Sequence, residues 1–234
     1  MVQQNMQSEA VDWRSFLEAE ALVLSLLGRA FYVYPERGWL QRLADEDVFA
    51  GSPLGDAQPD VRAGLELLRT WAQGCRGGMT DEAFDEIRAD YTRLFIGPAR
   101  VVAPPWESVH FNEERLTFQA QTLDVRAWYR RFGLQADKLN HEPDDHIGLE
   151  FAFLAHLAQL GAAEENQVEL ERVLDAQRAF ITEHPGRWVP RWCDLVSAEA
   201  HTDLYKGFAL LARGTLAQVA AALQLNHGGE GKHA

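Results

Sequence analysis

The sequence predicts an all-α protein, and three observations favour that class. Among its 234 residues, Ala (32) and Leu (29) far outnumber Val (15) and Ile (4), so strong helix formers exceed the β-branched residues that favour strands. Apolar residues recur at helical spacing, without an alternating strand pattern of useful length or an internal repeat. A chain of this mass should bury about 72% of its unfolded surface. That burial is enough for a single compact helical bundle.

Four helices are predicted before residue 97. Apolar residues from Trp13 to Phe31 follow helical spacing, and Pro35 ends this first helix because proline cannot continue it. Thr80 is a good N-cap, since two acidic residues follow it at the positive end of a helix. Three prolines exclude a regular helix over residues 97–108. The four predicted helices span residues 11–34, 36–47, 60–75 and 81–96.

Five more helices are predicted after residue 111. Pro143 takes the favoured first position of one of them, and Gly161 closes it. This helix is apolar on more than one side, so we expect it at the centre of the bundle. Pro190 should fall within the first turn of a later helix, where proline is tolerated. The five predicted helices span residues 112–132, 143–161, 166–183, 188–199 and 203–223.

The predicted helices form one domain with a polar segment at each end. Residues 1–8 and 226–234 are expected to be disordered, which leaves a helical domain over residues 9–225. Residues 133–142 join two groups of helices. They are the candidate hinge between two lobes of that domain.

Charge and cysteine content exclude several classes of protein. Asp and Glu (35) outnumber Lys and Arg (22), which gives a net charge of −13, and so acidic a chain should repel nucleic-acid phosphates. Cys75 and Cys193 form neither a CxxC nor a zinc spacing, which fits free thiols in a reducing compartment. The N-terminus lacks a secretion signal, and no apolar run approaches the ~18 residues of a membrane span. We therefore expect a cytoplasmic protein without membrane insertion.

The densest polar cluster lies between His141 and Glu150. If this segment were helical, Glu142, His146 and Glu150 would form one ladder at four-residue spacing, which suits metal binding or acid–base chemistry. The same residues fit helix capping and ion pairing, since carboxylates stabilise the first turn of a helix. Ligand binding without chemistry is a third interpretation. A metal-dependent helical enzyme would use His141, Glu142, Asp145, His146 and Glu150.

Two further segments are rich in aromatic residues, and the first of them has two interpretations. The run Pro104-Pro105-Trp106-Glu107-Ser108-Val109 could hold a tryptophan rigidly beside carboxylates, an arrangement that suits a segment with arginine and apolar side chains. Alternatively, Trp106 fills the core and the prolines only break helices. The corner formed by His184, Trp188, Pro190 and Trp192 favours core packing. Nucleotide-binding, hydrolase and zinc-protease motifs are absent from the sequence.

Together these segments resemble the TorD/DmsD family of redox-enzyme maturation chaperones. The resemblance rests on Tyr91-Thr-Arg-Leu-Phe95-Ile-Gly97-Pro98, the run at 104–109, Glu142-Pro143-Asp144-Asp145-His146 and the corner at 184–192. It extends from about Glu18 to Leu225. The run at 104–109 or the motif at 142–146 alone would be weak evidence for the family. Both motifs, in this order and in an all-helical chain, are fairly specific to it.

The resemblance implies a chaperone without catalytic activity and without a cofactor or metal. Its partner would be the twin-arginine leader and apo form of a molybdopterin oxidoreductase of the dimethyl sulfoxide or trimethylamine N-oxide reductase type. The chaperone would hold that client until cofactor insertion, before export by the Tat pathway. The family implies a monomer or a domain-swapped dimer. The alternative is a helical adaptor or oligomerisation module. Such a protein would bind its partner through exposed helix faces instead of the segment at 104–109.

The resemblance also assigns the leader-binding residues by position. Leu94, Phe95 and the Pro105-Trp106 pair should line a groove for the apolar part of the leader. Asp145, with Glu107 or Asp144, should receive its arginines. The leader-binding residues implied by the family are Tyr91, Leu94, Phe95, Pro104, Pro105, Trp106, Glu107, Ser108, Pro143, Asp144, Asp145 and His146.

The sequence departs from the common family pattern at four positions. Ala99 and His110 stand where DmsD-type members often carry tryptophan, and Arg187 replaces a usual proline. Glu107 is more typical of the TorD type. Because specificity depends on such details of a groove, these departures leave the identity of the client enzyme open.

Overall fold

Residues 11–97, 101–136 and 142–225 are described by a computed structural model, and helices account for most of them. The prediction of an all-α fold is confirmed: within these ranges the only β-type pairing is an isolated bridge between Trp106 and His146. None of the described helices combines the length and hydropathy needed to cross a bilayer. The helices are α1 (Trp13–Tyr32), α2 (Arg37–Asp45), α3 (Pro59–Cys75), α4 (Asp81–Tyr91), α5 (Glu107–His110), α6 (Ala120–Arg131), α7 (Ile147–Ala163), α8 (Gln167–Glu183), α9 (Pro185–Glu199) and α10 (Asp203–Leu225).

Side-chain caps determine where several helices begin. Thr80 accepts a hydrogen bond from the backbone N–H of Ala83 at 3.1 Å, as the sequence predicts for the start of α4. Asn166 caps α8 in the same way through Val168 N, at 2.9 Å. Each cap satisfies a backbone donor that the first turn of a helix would otherwise leave without a partner.

Helix α7 lies at the centre of the bundle, as its apolar pattern predicts. Eleven of its 17 residues are buried. It packs closely against α1 because glycines face each other at the crossing: a Cβ on Gly148 would lie 2.7 Å from the carbonyl oxygen of Gly28. Helices α3 and α10 approach through Gly64 and Gly207 in the same manner. Two close helix pairs therefore form the frame of the bundle.

An aromatic cluster fills the space between these helix pairs. The ring of Phe31 on α1 contacts Phe95, Phe151, Trp192 and Phe208, with centroid distances of 5.0 to 6.4 Å. Most of these pairs meet edge to face, the arrangement that aromatic quadrupoles favour. The cluster joins α1, α7, α9 and α10 to the segment after α4.

The predicted helix over residues 112–132 is wrong in its first part, since α6 begins only at Ala120. Asn112 explains the difference. Its side-chain oxygen accepts from Leu116 N at 2.7 Å, and its amide nitrogen donates to the carbonyl oxygens of Ser108 and Leu116. Such local bonds compete with a helix. Arg115 and Phe118 also have positive φ values of 55° and 58°, which a right-handed helix does not allow.

The predicted start and end of the helix over residues 143–161 are also corrected. Helix α7 begins at Ile147 rather than Pro143, because His146 caps it: the ring Nδ1 accepts from Gly148 N at 3.0 Å. The predicted ladder of Glu142, His146 and Glu150 on one helix is therefore wrong. Helix α7 also continues past Gly161 to Ala163.

Helix α9 begins earlier than predicted. Pro185 takes its first turn, so Pro190 lies inside the helix rather than in the first turn. After α4, residues Thr92–Ile96 form a π-helical turn that ends at Gly97, where φ is +64°. No sequence pattern indicated that turn. The predicted disordered ends at 1–8 and 226–234, and residues 137–141 of the candidate hinge at 133–142, lie outside the described residues.

Candidate functional site

Two segments far apart in the sequence meet beside the start of α7. We call residues 101–110 the proline loop and residues 142–147 the acidic turn. Glu107 N donates to the carbonyl oxygen of Asp145 at 2.9 Å, and Ile147 N donates to that of Pro105 at 2.8 Å. Trp106 and His146 lie between these bonds and form the antiparallel bridge. The structure thus brings together the two motifs that the sequence singled out.

Asp145 is the centre of this contact. Its Oδ2 accepts from Ser108 N at 2.7 Å, and its Oδ1 accepts from the hydroxyl of Thr122 at 2.7 Å. The side chain is fully buried. Because a buried carboxylate needs such donors, Asp145 ties the acidic turn to α5 and α6 at once.

Asp144 is held by α6. Its carboxylate forms an ion pair with Arg126, and its backbone carbonyl accepts from the hydroxyl of Tyr129 at 3.1 Å. The Asp144 side chain is 1% exposed, against 15% for that of Arg126. Burial raises the pKa of Tyr129 well above its ordinary value, and nearby carboxylates add to the effect. The hydroxyl therefore keeps its proton and donates.

A second buried group joins the proline loop to α7 and α9. His184 Nδ1 donates to Glu107 Oε2 at 2.8 Å, and Trp188 Nε1 donates to Glu150 Oε2 at 3.2 Å. All four side chains are buried. Burial raises the pKa of Glu150 well above its ordinary value, and the charges of Glu107 and Asp145 raise it further.

The accessible edge of the site is aromatic and carries one carboxylate. Trp106 and Tyr32 are half-buried, and their rings meet the ring of His146 edge to face, with centroids 5.8 Å and 5.1 Å away. The hydroxyl of Tyr32 donates to Glu142 Oε2 at 3.0 Å. Glu142 is also half-buried. This edge presents apolar rings and a carboxylate side by side.

The remaining site residues from the sequence lie in the core. The hydroxyl of Tyr91 donates to the carbonyl oxygen of Phe31 at 2.9 Å, and the ring of Phe95 stacks on Trp192 with centroids 5.6 Å apart. Leu94 is fully buried. Leu94 supports the proline loop directly, since its carbonyl oxygen accepts from Ala103 N at 2.8 Å. The assignment of Tyr91, Leu94 and Phe95 to leader binding stays a prediction.

Of the twelve residues that the family resemblance assigned, Trp106 alone is not buried. Sequence reasoning missed the groups that hold them: Thr122 and Arg126 of α6, and His184 as the partner of Glu107. Thr122 and Arg126 are one helical turn apart, and that spacing is the sequence signal for their common face. Nothing in the sequence linked that face to the acidic turn.

The residues of the metal-site alternative lie apart or bind other parts of the protein where the structure describes them. Among them, no group of three or more His, Cys, Asp or Glu side chains is placed to hold a metal ion. Asp145, His146 and Glu150 are engaged by protein donors instead. His141 lies outside the described residues.

The comparisons with known proteins identify the family. The family model described as "Nitrate reductase delta subunit" matches residues 55–194, more than half of the chain. The chain is also similar to the Tat proofreading chaperone DmsD of Salmonella typhi, with 30% identity over 216 residues that cover 89% of this chain and 94% of the relative. The chain belongs to the TorD/DmsD family. The resemblance inferred from the motifs is thereby confirmed.

Similarity to TorD covers less of the chain. The chaperone protein TorD of Vibrio cholerae serotype O1 is 29% identical over 133 residues, which cover 57% of this chain and 60% of the relative. For TorD of Aliivibrio fischeri the identity is 28% over 115 residues, or 49% of this chain and 54% of the relative. Within the TorD/DmsD family, the chain thus matches DmsD along most of its length and TorD along about half.

Proposed function

We propose that this TorD/DmsD member is a cytoplasmic chaperone, not an enzyme, that binds the twin-arginine leader and apo form of a molybdopterin oxidoreductase. The client would be of the dimethyl sulfoxide or trimethylamine N-oxide reductase type, held until cofactor insertion and then exported by the Tat pathway. One observation carries the proposal: the alignment of this chain with a relative named a Tat proofreading chaperone covers 94% of that relative's length. The geometry of the site is compatible with it.

The accessible edge has the chemistry that such a leader needs. A twin-arginine leader carries a basic turn followed by an apolar stretch. Trp106 and Tyr32 offer apolar faces, on which a guanidinium or an aliphatic side chain can pack. Glu142 supplies the carboxylate beside them. Arginine can engage a carboxylate with two parallel hydrogen bonds, which makes this pairing directional.

The buried carboxylates have a different role in the proposal. Asp144, Asp145 and Glu107 already hold internal partners and are fully buried. Breaking a buried pair costs about 3–5 kcal/mol, which a moderate leader affinity would not recover. We therefore assign these three residues to positioning the proline loop. The contact with the arginines is assigned to Glu142 because this carboxylate is half-buried and lies at the accessible edge.

A peptide titration tests the proposal. The probe is a synthetic leader-like peptide with two consecutive arginines before a leucine-rich stretch, and the control peptide carries two lysines instead. We expect micromolar affinity for the arginine peptide, about −8 kcal/mol, and weaker binding of the lysine peptide. Isothermal titration calorimetry of the full chain measures both. Equal affinity for the two peptides, or none, would contradict the proposal.

Two substitutions locate the contact on the accessible edge. Glu142→Gln should weaken arginine-peptide binding about 3- to 10-fold and reduce its salt dependence, because one charge pair is lost. Trp106→Ala should weaken binding without changing the salt dependence. Glu66→Gln on α3 and Leu22→Ala ten residues before Tyr32 on α1, both at exposed positions, are the matched controls. If the controls weaken binding as much as the site variants, the contact lies elsewhere.

A further inference from the structure

The proline loop offers little apolar surface to a leader. The sequence places the apolar part of the leader on Leu94, Phe95, Pro105 and Trp106, and the first three of these are buried. An apolar stretch of about ten residues is about 15 Å long as a helix and about 33 Å long when extended. The half-buried ring of Trp106 is too small to cover such a stretch, so a further apolar surface is needed beside it.

A cluster of exposed apolar side chains follows α5. Among the described residues, ten large apolar or aromatic side chains are exposed, and Phe111, Leu116 and Phe118 are three of them. These three lie within eight residues of the chain, and their exposed fractions are 37%, 48% and 47%. We call them the loop patch. Single exposed apolar residues are ordinary, whereas a group of them marks an interaction surface.

The loop patch has a fixed and strained backbone. The side chain of Asn112 bonds to the backbone N–H and C=O of Leu116, at 2.7 and 2.9 Å, and to the carbonyl oxygen of Ser108 on α5. Phe118 has a φ of +58°, which a bulky residue rarely adopts. Such conformations persist only where the surrounding structure holds them, and they are common at binding sites. Since the Phe118 ring is exposed, core packing does not explain this strain.

The loop patch is continuous with the accessible edge of the site. The four-residue helix α5, which rises about 6 Å, separates Trp106 from Phe111. This helix is held in place by its last residue, His110. Nε2 of His110 donates to the carbonyl oxygen of Pro104 at 2.9 Å, and its ring stacks on Trp188 with centroids 4.9 Å apart. A segment bound at Trp106 therefore reaches the loop patch within a few residues.

The charges around the loop patch fit an uncharged segment better than a basic one. Glu113, Glu114 and Arg115 are exposed between its apolar residues. The guanidinium of Arg187, also exposed, lies over the ring of Phe111 at 4.4 Å from the centroid. Two carboxylates and two guanidiniums leave the patch without a net charge. An apolar centre with a charged rim is the common anatomy of a binding surface.

We propose that the loop patch binds the apolar stretch of the leader, while Glu142 and Trp106 bind its basic turn. The proposal rests on the function proposed above and adds a second contact surface for the same partner. The leader then runs from the accessible edge across α5 to the loop patch. Because the patch is held in shape before binding, little conformational entropy is lost there. Each leucine buried on it adds affinity in proportion to the apolar area removed from water.

The first experiment compares two peptides on the full chain. One is the arginine peptide, and the other, the serine peptide, keeps the two arginines but has serines in place of its leucines. Leu116→Ala and Phe118→Gly should each weaken binding of the arginine peptide about 3- to 10-fold, and neither should change binding of the serine peptide. Leu22→Ala is the matched control, since Leu22 is 66% exposed on α1. It should change binding of neither peptide.

Thermal unfolding separates binding from folding in Phe118→Gly. Glycine adopts a positive φ freely, so this variant removes the ring and relieves the backbone at the same time. Its Tm should equal or exceed that of wild type, although it binds the arginine peptide more weakly. A lower Tm would mean that the Phe118 ring stabilises the fold, and the effect of Leu116→Ala on peptide binding would then decide the proposal.

The outcomes distinguish this inference from the proposed function. If both patch variants bind the arginine peptide as tightly as wild type does, the inference is wrong and the proposed function stands. If wild type binds neither peptide, the proposed function is wrong, and the inference with it. Analytical ultracentrifugation without peptide tests a second copy of the chain as the occupant. A dimer that Phe118→Gly dissociates would assign the patch to self-association and overturn the inference.

Discussion

Glu20 shows at the scale of one residue how burial decides the state of a carboxyl group. It is fully buried on α1, and its Oε1 accepts from the amide nitrogen of Gln177 on α8. Glu20 Oε2 and Gln177 Oε1 have no other partner among the described residues. If Glu20 is protonated at Oε2, that hydroxyl can donate to Gln177 Oε1. The two side chains are then joined by a ring of two hydrogen bonds. Burial raises its pKa accordingly.

This pair predicts a pH-dependent stability. The folded-state pKa of Glu20 lies above its ordinary value of 4.5, so its stabilisation is complete below that value and is lost as pH rises through the folded value. Glu20→Gln should keep both hydrogen bonds. As pH rises, its free energy of unfolding should fall less steeply than that of wild type, by at most about 1.4 kcal/mol per pH unit. Urea unfolding of both proteins at mildly acidic and alkaline pH measures this. Parallel pH profiles would contradict the prediction.

At the same scale, the sequence located the segments of the site but not the roles of their residues. The motifs pointed to the proline loop and the acidic turn, which the structure joins. Asp144 and Asp145 were expected to receive the arginines of the leader, yet both side chains are buried. Whether a carboxylate is available to a partner depends on its tertiary neighbours, here Arg126 and Thr122. No local pattern reports those neighbours.

At the scale of the elements, the contact between α1 and α7 depends on two glycines. A Cβ at Gly148 would lie 2.6 Å from the Cβ of Tyr32 and 2.7 Å from the carbonyl oxygen of Gly28. Neither atom belongs to the end of a flexible side chain. Because Tyr32 also contacts His146 and Glu142, this crossing sets the geometry of the accessible edge.

Substitution of a glycine by alanine should therefore have opposite effects at two helical positions. Gly148→Ala should destabilise the fold by about 1–3 kcal/mol, because α1 and α7 must separate. Gly74→Ala, on α3 with no atom within 4 Å of the added Cβ, should stabilise it by up to about 1 kcal/mol through helix propensity. Thermal and urea unfolding compare the two. Equal effects would show that the crossing tolerates a methyl group.

Most helices were predictable from the sequence, and the largest exception has a local cause. The helices up to residue 91 and those after residue 166 follow the apolar periodicity, apart from the start of α9. Residues 112–119 do not, because the side chain of Asn112 bonds to backbone groups that a helix would use. Helix propensity depends on residue type, and periodicity depends on the spacing of apolar residues. Neither detects a polar side chain whose hydrogen bonds take the place of the backbone hydrogen bonds of a helix.

At the scale of the whole molecule, the net charge of −13 acts on both stability and binding. Like charges over one surface repel each other and oppose compaction. The same charges attract a cationic segment. Salt screens both effects, with a Debye length of about 8 Å near physiological ionic strength.

Salt should therefore change stability and leader binding in opposite directions. Raising sodium chloride from low to moderate concentration should increase the Tm by about 2–4 °C, equivalent to about 1 kcal/mol for a chain of this size. Over the same range the affinity for the arginine peptide should fall. Differential scanning calorimetry and peptide titration measure the two quantities. A Tm that falls with salt would mean that favourable ion pairs outweigh the general repulsion.

Two buried contacts of the proline loop depend on partners that follow it by many residues. Its carbonyl at Ala103 accepts from Trp192, 89 residues later, and Glu107 is held by His184, 77 residues later. On a ribosome, the chain up to α8 can emerge without either partner. The proposed client contact is therefore completed late in translation, and a chain interrupted before α9 would leave it unformed.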